Sequence, residues 1–106
     1  MFDTWRSAPY NGFVIKTFKD EQARMIFKRQ RSRKLPLEIQ QVALRKLRMI
    51  NNSSSLADLR IPPANRLEKL RGDRIGQWSI RINEQYRICF EWRESDAYDV
   101  EIVDYH

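Results

Sequence analysis

Cysteine and histidine are almost missing from this chain, which holds one of each, Cys89 and His106. A single cysteine excludes an internal disulfide. One Cys and one His cannot supply the four ligands of a usual structural zinc site. A long apolar run is missing too: no stretch approaches the roughly 20 residues a helix needs to cross a membrane. No signal-peptide pattern opens the chain, so the expected location is the cytoplasm. There is no internal repeat, and the only biased segment is the short Ser53-Ser54-Ser55 run. Acidic residues are scarce relative to basic ones, 14 against 20, which leaves a formal net charge of +6. A small basic domain suits an anionic partner, nucleic acid first. The competing reading is a basic surface with no specific partner.

A chain of 106 residues makes one domain. Apolar content of 42% is enough for a modest core, and 32% charged residues is high without matching a disordered chain. Residues 1–13, MFDTWRSAPYNGF, have no clear period and contain Pro9, Asn11 and Gly12. They read as a poorly ordered leader or appended segment ahead of a domain at 14–106. Residues 14–18 read as a short first strand. Thr17 with Asp20 three residues later marks a helix start. Ala23, Ile26 and Phe27 follow at helical spacing. After the basic run KRQRSRK, Pro36 suits the first turn of a second helix with the stripe Ile39, Val42, Ala43, Leu47 and Ile50. The polar run 51–55 ends it. Residues 56–59 suggest one more helical turn, and Pro62-Pro63 breaks the chain. From Arg66 the period is two, predicting strands near 66–70, 76–83, 86–92 and 97–103. Helices first and then a meander give an α+β domain: a helical hairpin packed on one face of a small antiparallel β-sheet.

The stretch RGDRIGQWSIRINEQYRICFEW, residues 71–92, splits into two sets of side chains. Trp78, Ile80 and Ile82, with Tyr86, Ile88, Phe90 and Trp92, belong to the core by alternation. Ser79, Arg81, Arg87, Cys89 and Glu91 point the other way, onto an open face. Arg71 adds a cation just before the Gly72-Asp73 turn. Such a face is either ordinary solvated sheet or a phosphate site, since guanidinium binds phosphate bidentately. The chain closes on Asp104-Tyr105-His106. An imidazole and a phenol beside a basic face are the parts general acid–base chemistry needs. The alternative is a frayed terminus.

GDRIGQWSIRINEQYRICFEW, then DAYDV, then DYH resembles the HigB toxins of the RelE-like superfamily of bacterial type II toxin–antitoxin systems. The resemblance covers roughly residues 15–106, with IKTFKD at its start. It implies a RelE-like fold and a small endoribonuclease that cuts messenger RNA on the translating 70S ribosome. It further implies a HigA-like helix-turn-helix antitoxin that silences the toxin and carries the complex to operator DNA. Matched residue by residue, Arg87 is expected to hold the scissile phosphate. Asp104, Tyr105 and His106 match the C-terminal catalytic residues. Arg71 matches a basic residue, usually Lys, beside the active-site concavity, and Lys69 and Arg81 join it as RNA or phosphate ligands. Where some relatives carry a catalytic His, this chain has Glu68, either a substitute base or a plain strand residue. No metal, cofactor or membrane is implied. The same scaffold carries ParE toxins, which inhibit gyrase by binding, and a degenerate toxin that only binds its antitoxin is a third option. The RIN…YRICF run and the DYH ending favour the HigB branch.

Overall fold

The computed structural model describes residues 13–105. The expected leader, apart from Phe13, and His106 lie outside the described residues. The two apolar stripes build the expected helical hairpin, α1 (Glu21–Phe27) and α2 (Leu37–Asn51). Asp20, not Thr17, caps α1: its carboxylate accepts from the Gln22 N–H at 2.9 Å. The Thr17 hydroxyl instead accepts from the Asp99 N–H at 2.8 Å, tying the N-terminal segment to the sheet. Pro36 is the N-cap of α2, one residue ahead of its expected place in the first turn. Ile39, Ala43, Leu47 and Ile50 are buried along α2 as their spacing requires. The turn expected after α2 is a 3-10 turn at Leu56–Arg60, and a second covers Pro63–Asn65.

The meander is a four-stranded antiparallel sheet in sequence order: β1 (Glu68–Lys69), β2 (Gln77–Arg81), β3 (Tyr86–Arg93) and β4 (Asp96–Asp104). β1 is far shorter than its alternation suggests, because Arg66 adopts a left-handed conformation (φ 46°) that ends any extended run there. The expected strand at 14–18 is instead a segment making two isolated parallel bridges to β4, Ile15 to Ala97 and Phe18 to Val100. A bulge is the cause. The register between β3 and β4 shifts after Cys89, and Asp99 sits in the shift with φ 53°. A bulged strand bends and disrupts its ladder, so a straight neighbour meets it only at intervals.

Ile80, Ile88, Phe90, Ala97 and Val100 are fully buried on the sheet face that meets Ile15, Phe18 and α2. Trp78, Tyr86 and Trp92 pack around this core while remaining partly exposed. The second face departs from the expectation of an open surface. Ser79 and Cys89 are fully buried, and Arg87 is only 8% exposed. Alternation placed these residues off the main core correctly, but not what covers them. Residues 70–76 fold back over this face through a 3-10 turn at Gly72–Arg74. Arg74 then reaches across the strands to Gln77 (3.1 Å) and Glu101 (2.8 Å). Because Ser79, Cys89 and Glu101 are register partners, this reach roofs the centre of the sheet.

Candidate active site

The β2–β3 connection sets one wall of the site. The Asn83 side chain accepts from the Gln85 and Tyr86 N–H groups, both at 2.8 Å, closing a tight turn. The Gln85 carbonyl accepts from the Tyr105 N–H at 2.6 Å, and its side-chain amide donates to Asp104 at 3.1 Å. Asp104 is also the register partner of Tyr86. The backbone is therefore anchored as far as Tyr105, which removes the frayed-tail reading up to that residue.

Arg81 and Arg87 are register partners on β2 and β3, so their side chains leave the sheet on the same side. Here lies a concavity of about 550 Å³. Arg66, Arg81 and Arg87 line it against two carboxylates, Glu68 and Glu84, with Leu67, Asn83 and Tyr105 completing the wall. An excess of guanidinium in a half-enclosed space attracts a phosphodiester. Arg87 is fixed within it. Its Nε donates to the Ser79 hydroxyl at 2.7 Å, and its Nη2 donates to the Arg66 carbonyl. Nη2 also lies 3.4 Å from a Glu68 carboxylate oxygen. The remaining nitrogen, Nη1, has no hydrogen-bond partner among the described residues. The Tyr105 ring, 45% exposed, lies with its centroid 5.9 Å from the guanidinium carbon.

The fold thus brings together Arg87, Arg81, Glu68 and Tyr105. It places three other expected residues elsewhere. Asp104 points to the Gln85 amide at the hairpin and does not line the concavity. Lys69 is the register partner of Trp78 and holds its ammonium 5.9 Å from that ring, so it faces the helix side of the sheet. Arg71 is exposed ahead of the 3-10 turn and does not line the concavity either. His106 is outside the described residues. Sequence reasoning missed Arg66, Ser79, Asn83 and Glu84. Ser79 was legible in outline, since alternation put it on the Arg87 face. Arg66 was not, because its part is played by a carbonyl in a left-handed turn.

Burial pushes the Cys89 thiol up to about 11, so the one cysteine is neutral near pH 7 and is no nucleophile. Arg74 is held above its ordinary value by its hydrogen bond to Glu101. Among the described residues no three His, Cys, Asp or Glu side chains converge as a metal site, and no helix there is long and apolar enough to cross a membrane.

Residues 16–106 match the family described as the RelE-like toxin of the type II toxin–antitoxin system HigB. The chain is 41% identical over 81 residues to the protein named Toxin HigB-1 of Vibrio cholerae, covering 76% of this chain and 85% of that one. It is 29% identical over 93 residues to the protein named Endoribonuclease HigB of Proteus vulgaris, covering 88% of this chain and all of that one. A family match over nearly the whole chain, on an α+β fold with a basic concavity at the ends of β2, β3 and β4, makes this protein a member of the HigB-like, RelE-like toxins of type II toxin–antitoxin systems.

Proposed function

We propose that this chain is a metal-independent endoribonuclease that cleaves messenger RNA on the ribosome and is silenced by a HigA-like helix-turn-helix antitoxin. The carrying observation is Arg87, locked at the floor of a basic concavity with Nη1 unpartnered among the described residues and Tyr105 beside it. RNA brings its own nucleophile, the 2′-hydroxyl. Its oxygen attacks phosphorus as its proton leaves, and the P–O5′ bond breaks as the 5′-oxygen gains a proton. The products are a 2′,3′-cyclic phosphate and a 5′-hydroxyl. Arg87 stabilises the extra charge on the phosphoryl oxygens, helped by Arg81 at the opposite position. His106 carries the main proton transfer, with Tyr105 and Glu68 as its partners. Asp104 contributes by fastening the tail to Gln85.

Ribosome dependence follows from what the site lacks. The sequence holds one imidazole, His106, and the concavity a few guanidinium groups, with little to bend the message. A ribosome would hold the 2′-hydroxyl in line with phosphorus, and orientation alone is worth several kcal/mol. The protein then acts in the cytoplasm, and reaches operator DNA only through its antitoxin. The test is single-turnover cleavage of one message, naked and bound to ribosomes, with end-group analysis. Much faster cleavage on ribosomes, ending in a cyclic phosphate, is expected. Equal rates would remove the ribosome, and a 5′-phosphate product would remove the mechanism. His106→Ala should melt like the parent and cleave roughly 10²–10⁴-fold slower. Cleavage at the parent rate would pass the proton-transfer role to Glu68 or Tyr105.

A further inference from the structure

Behind the concavity lies a buried polar cluster that neither the core nor the chemistry above uses. Lys46 stands on the buried side of α2, 6% exposed, and Asn65 is fully buried. Burial holds the Lys46 ammonium below the ordinary lysine value, and the like charges of Arg45 and Arg81 add to that. The Lys46 ammonium donates to Asn65 Oδ1. Asn65 Nδ2 donates to the Leu59 carbonyl at 3.2 Å, and the Asn65 N–H to the Pro62 carbonyl at 2.9 Å. A buried cation partnered by a neutral amide is costly, and an apolar residue on α2 would pack there more favourably. The next residue explains its use. Arg66 holds a left-handed conformation, φ 46° and ψ 56°, which is strained for a non-glycine residue. The Arg66 carbonyl is the acceptor for Arg87 Nη2.

We propose that Asn65, held by Lys46, is a positioning residue for Arg87. The pair clamps the chain one peptide before Arg66 and so aims the Arg66 carbonyl. With Ser79 on Nε and Arg66 on Nη2, the guanidinium plane is fixed and Nη1 is presented to the concavity. This inference rests on the reading of Arg87 as the phosphate-binding group.

The experiment uses the full chain with Asn65→Ala and Lys46→Met. Nitrogen–proton spectra of the free protein follow the Arg87 Nε–H, without any reaction. A slowly exchanging signal is expected in the parent, and faster exchange in both variants. Single-turnover cleavage on programmed ribosomes should fall about 10- to 100-fold at saturating enzyme, with half-saturation unchanged. Placed on Arg87→Lys, either substitution should cost nothing further, because residues acting through one group are not additive. Equal losses in both backgrounds, or an unchanged Arg87 signal, would overturn the proposal in favour of a general structural role. Should Asn65→Ala melt below the assay temperature, Lys46→Met decides by the same two readings. A parent that cleaves no message would sink the nuclease reading, while the spectra would still decide the positioning.

Discussion

Arg87 carries two burdens that a surface arginine does not. Its side chain is nearly buried, and it satisfies the Ser79 hydroxyl and the Arg66 carbonyl. Arg87→Lys keeps the charge but loses the planar fork, and single-turnover cleavage should drop about 10²–10³-fold. Arg87→Ala should lose the same activity and also about 1–3 kcal/mol of stability, since buried acceptors are left unpaired. Urea melts beside the kinetics separate the two effects, and a fully stable Arg87→Ala would mean the guanidinium is not built into the sheet as described. Cys89 makes a separate prediction. Its folded value is raised to about 11, so the stabilisation it represents is complete below the ordinary thiol value and is lost as pH climbs from about 8.5 toward that figure. The parent should therefore lose roughly 2–3 kcal/mol more than Cys89→Ala between pH 8 and pH 10.5. Parallel stability curves for the two proteins would contradict this.

At the scale of elements, backbone hydrogen bonds through Val14, Lys16, Thr17 and Lys19 join the N-terminal segment to β4, and side chains extend that hold to both helices. Asp20 accepts from the Gln22 N–H with one oxygen and from the Ile102 N–H, 3.1 Å away, with the other. Asn51, at the end of α2, accepts from the Val14 and Ile15 N–H groups at 3.0 and 3.1 Å. Asp20 thus caps a helix and closes part of the exposed edge of β4 at once. Asp20→Ala should cost about 1–3 kcal/mol, more than a cap alone, because an N–H on β4 is orphaned too. Denaturant melts test this directly: a loss of a few tenths of a kcal/mol would show that water replaces the carboxylate at β4. The hairpin between α1 and α2 has its own internal brace. Ser32 is buried, its hydroxyl donating to Gln22, while its N–H and carbonyl both engage Gln40. That brace sets Arg29, Arg31 and Arg33 outward, all exposed.

Across the whole molecule, charge and shape work together. The net charge is +6, and the concavity, the hairpin tip and the exposed Arg71 all present cations. Each cation that meets a phosphate releases condensed counterions. Affinity for ribosomes should therefore weaken about tenfold or more between 50 and 200 mM salt if three or more phosphates are engaged. Ribosome pelleting across a salt series measures it, and a flat profile would confine binding to apolar or shape contacts. An acidic antitoxin surface would gain from the same field, chiefly in its rate of association.

Much of the architecture was legible because it depends on local periodicity. A stripe at Ile39, Ala43, Leu47 and Ile50 has no other use than the buried side of a helix. Alternation through Trp78–Ile82 and Tyr86–Trp92 assigned each strand residue its face, and the resemblance singled out Arg87, Glu68 and Tyr105, which the fold brings to one concavity. Three things were decided only in three dimensions. The bulge at Asp99 turned an expected first strand into two bridges, since one left-handed residue on β4 alters what its neighbour can reach. The fold-back at residues 70–76 covered the face around Cys89, and Arg66 and Glu68 closed on Arg87, because alternation gives a direction and carries no information about a cover. The Arg66 carbonyl became the partner of Arg87 through a backbone conformation imposed from Asn65 and Lys46, contacts made across 19 residues of chain. Pattern in a sequence reports which side chains want water. The aim of a carbonyl depends on contacts between segments far apart in the chain, so it appears only once those segments have met.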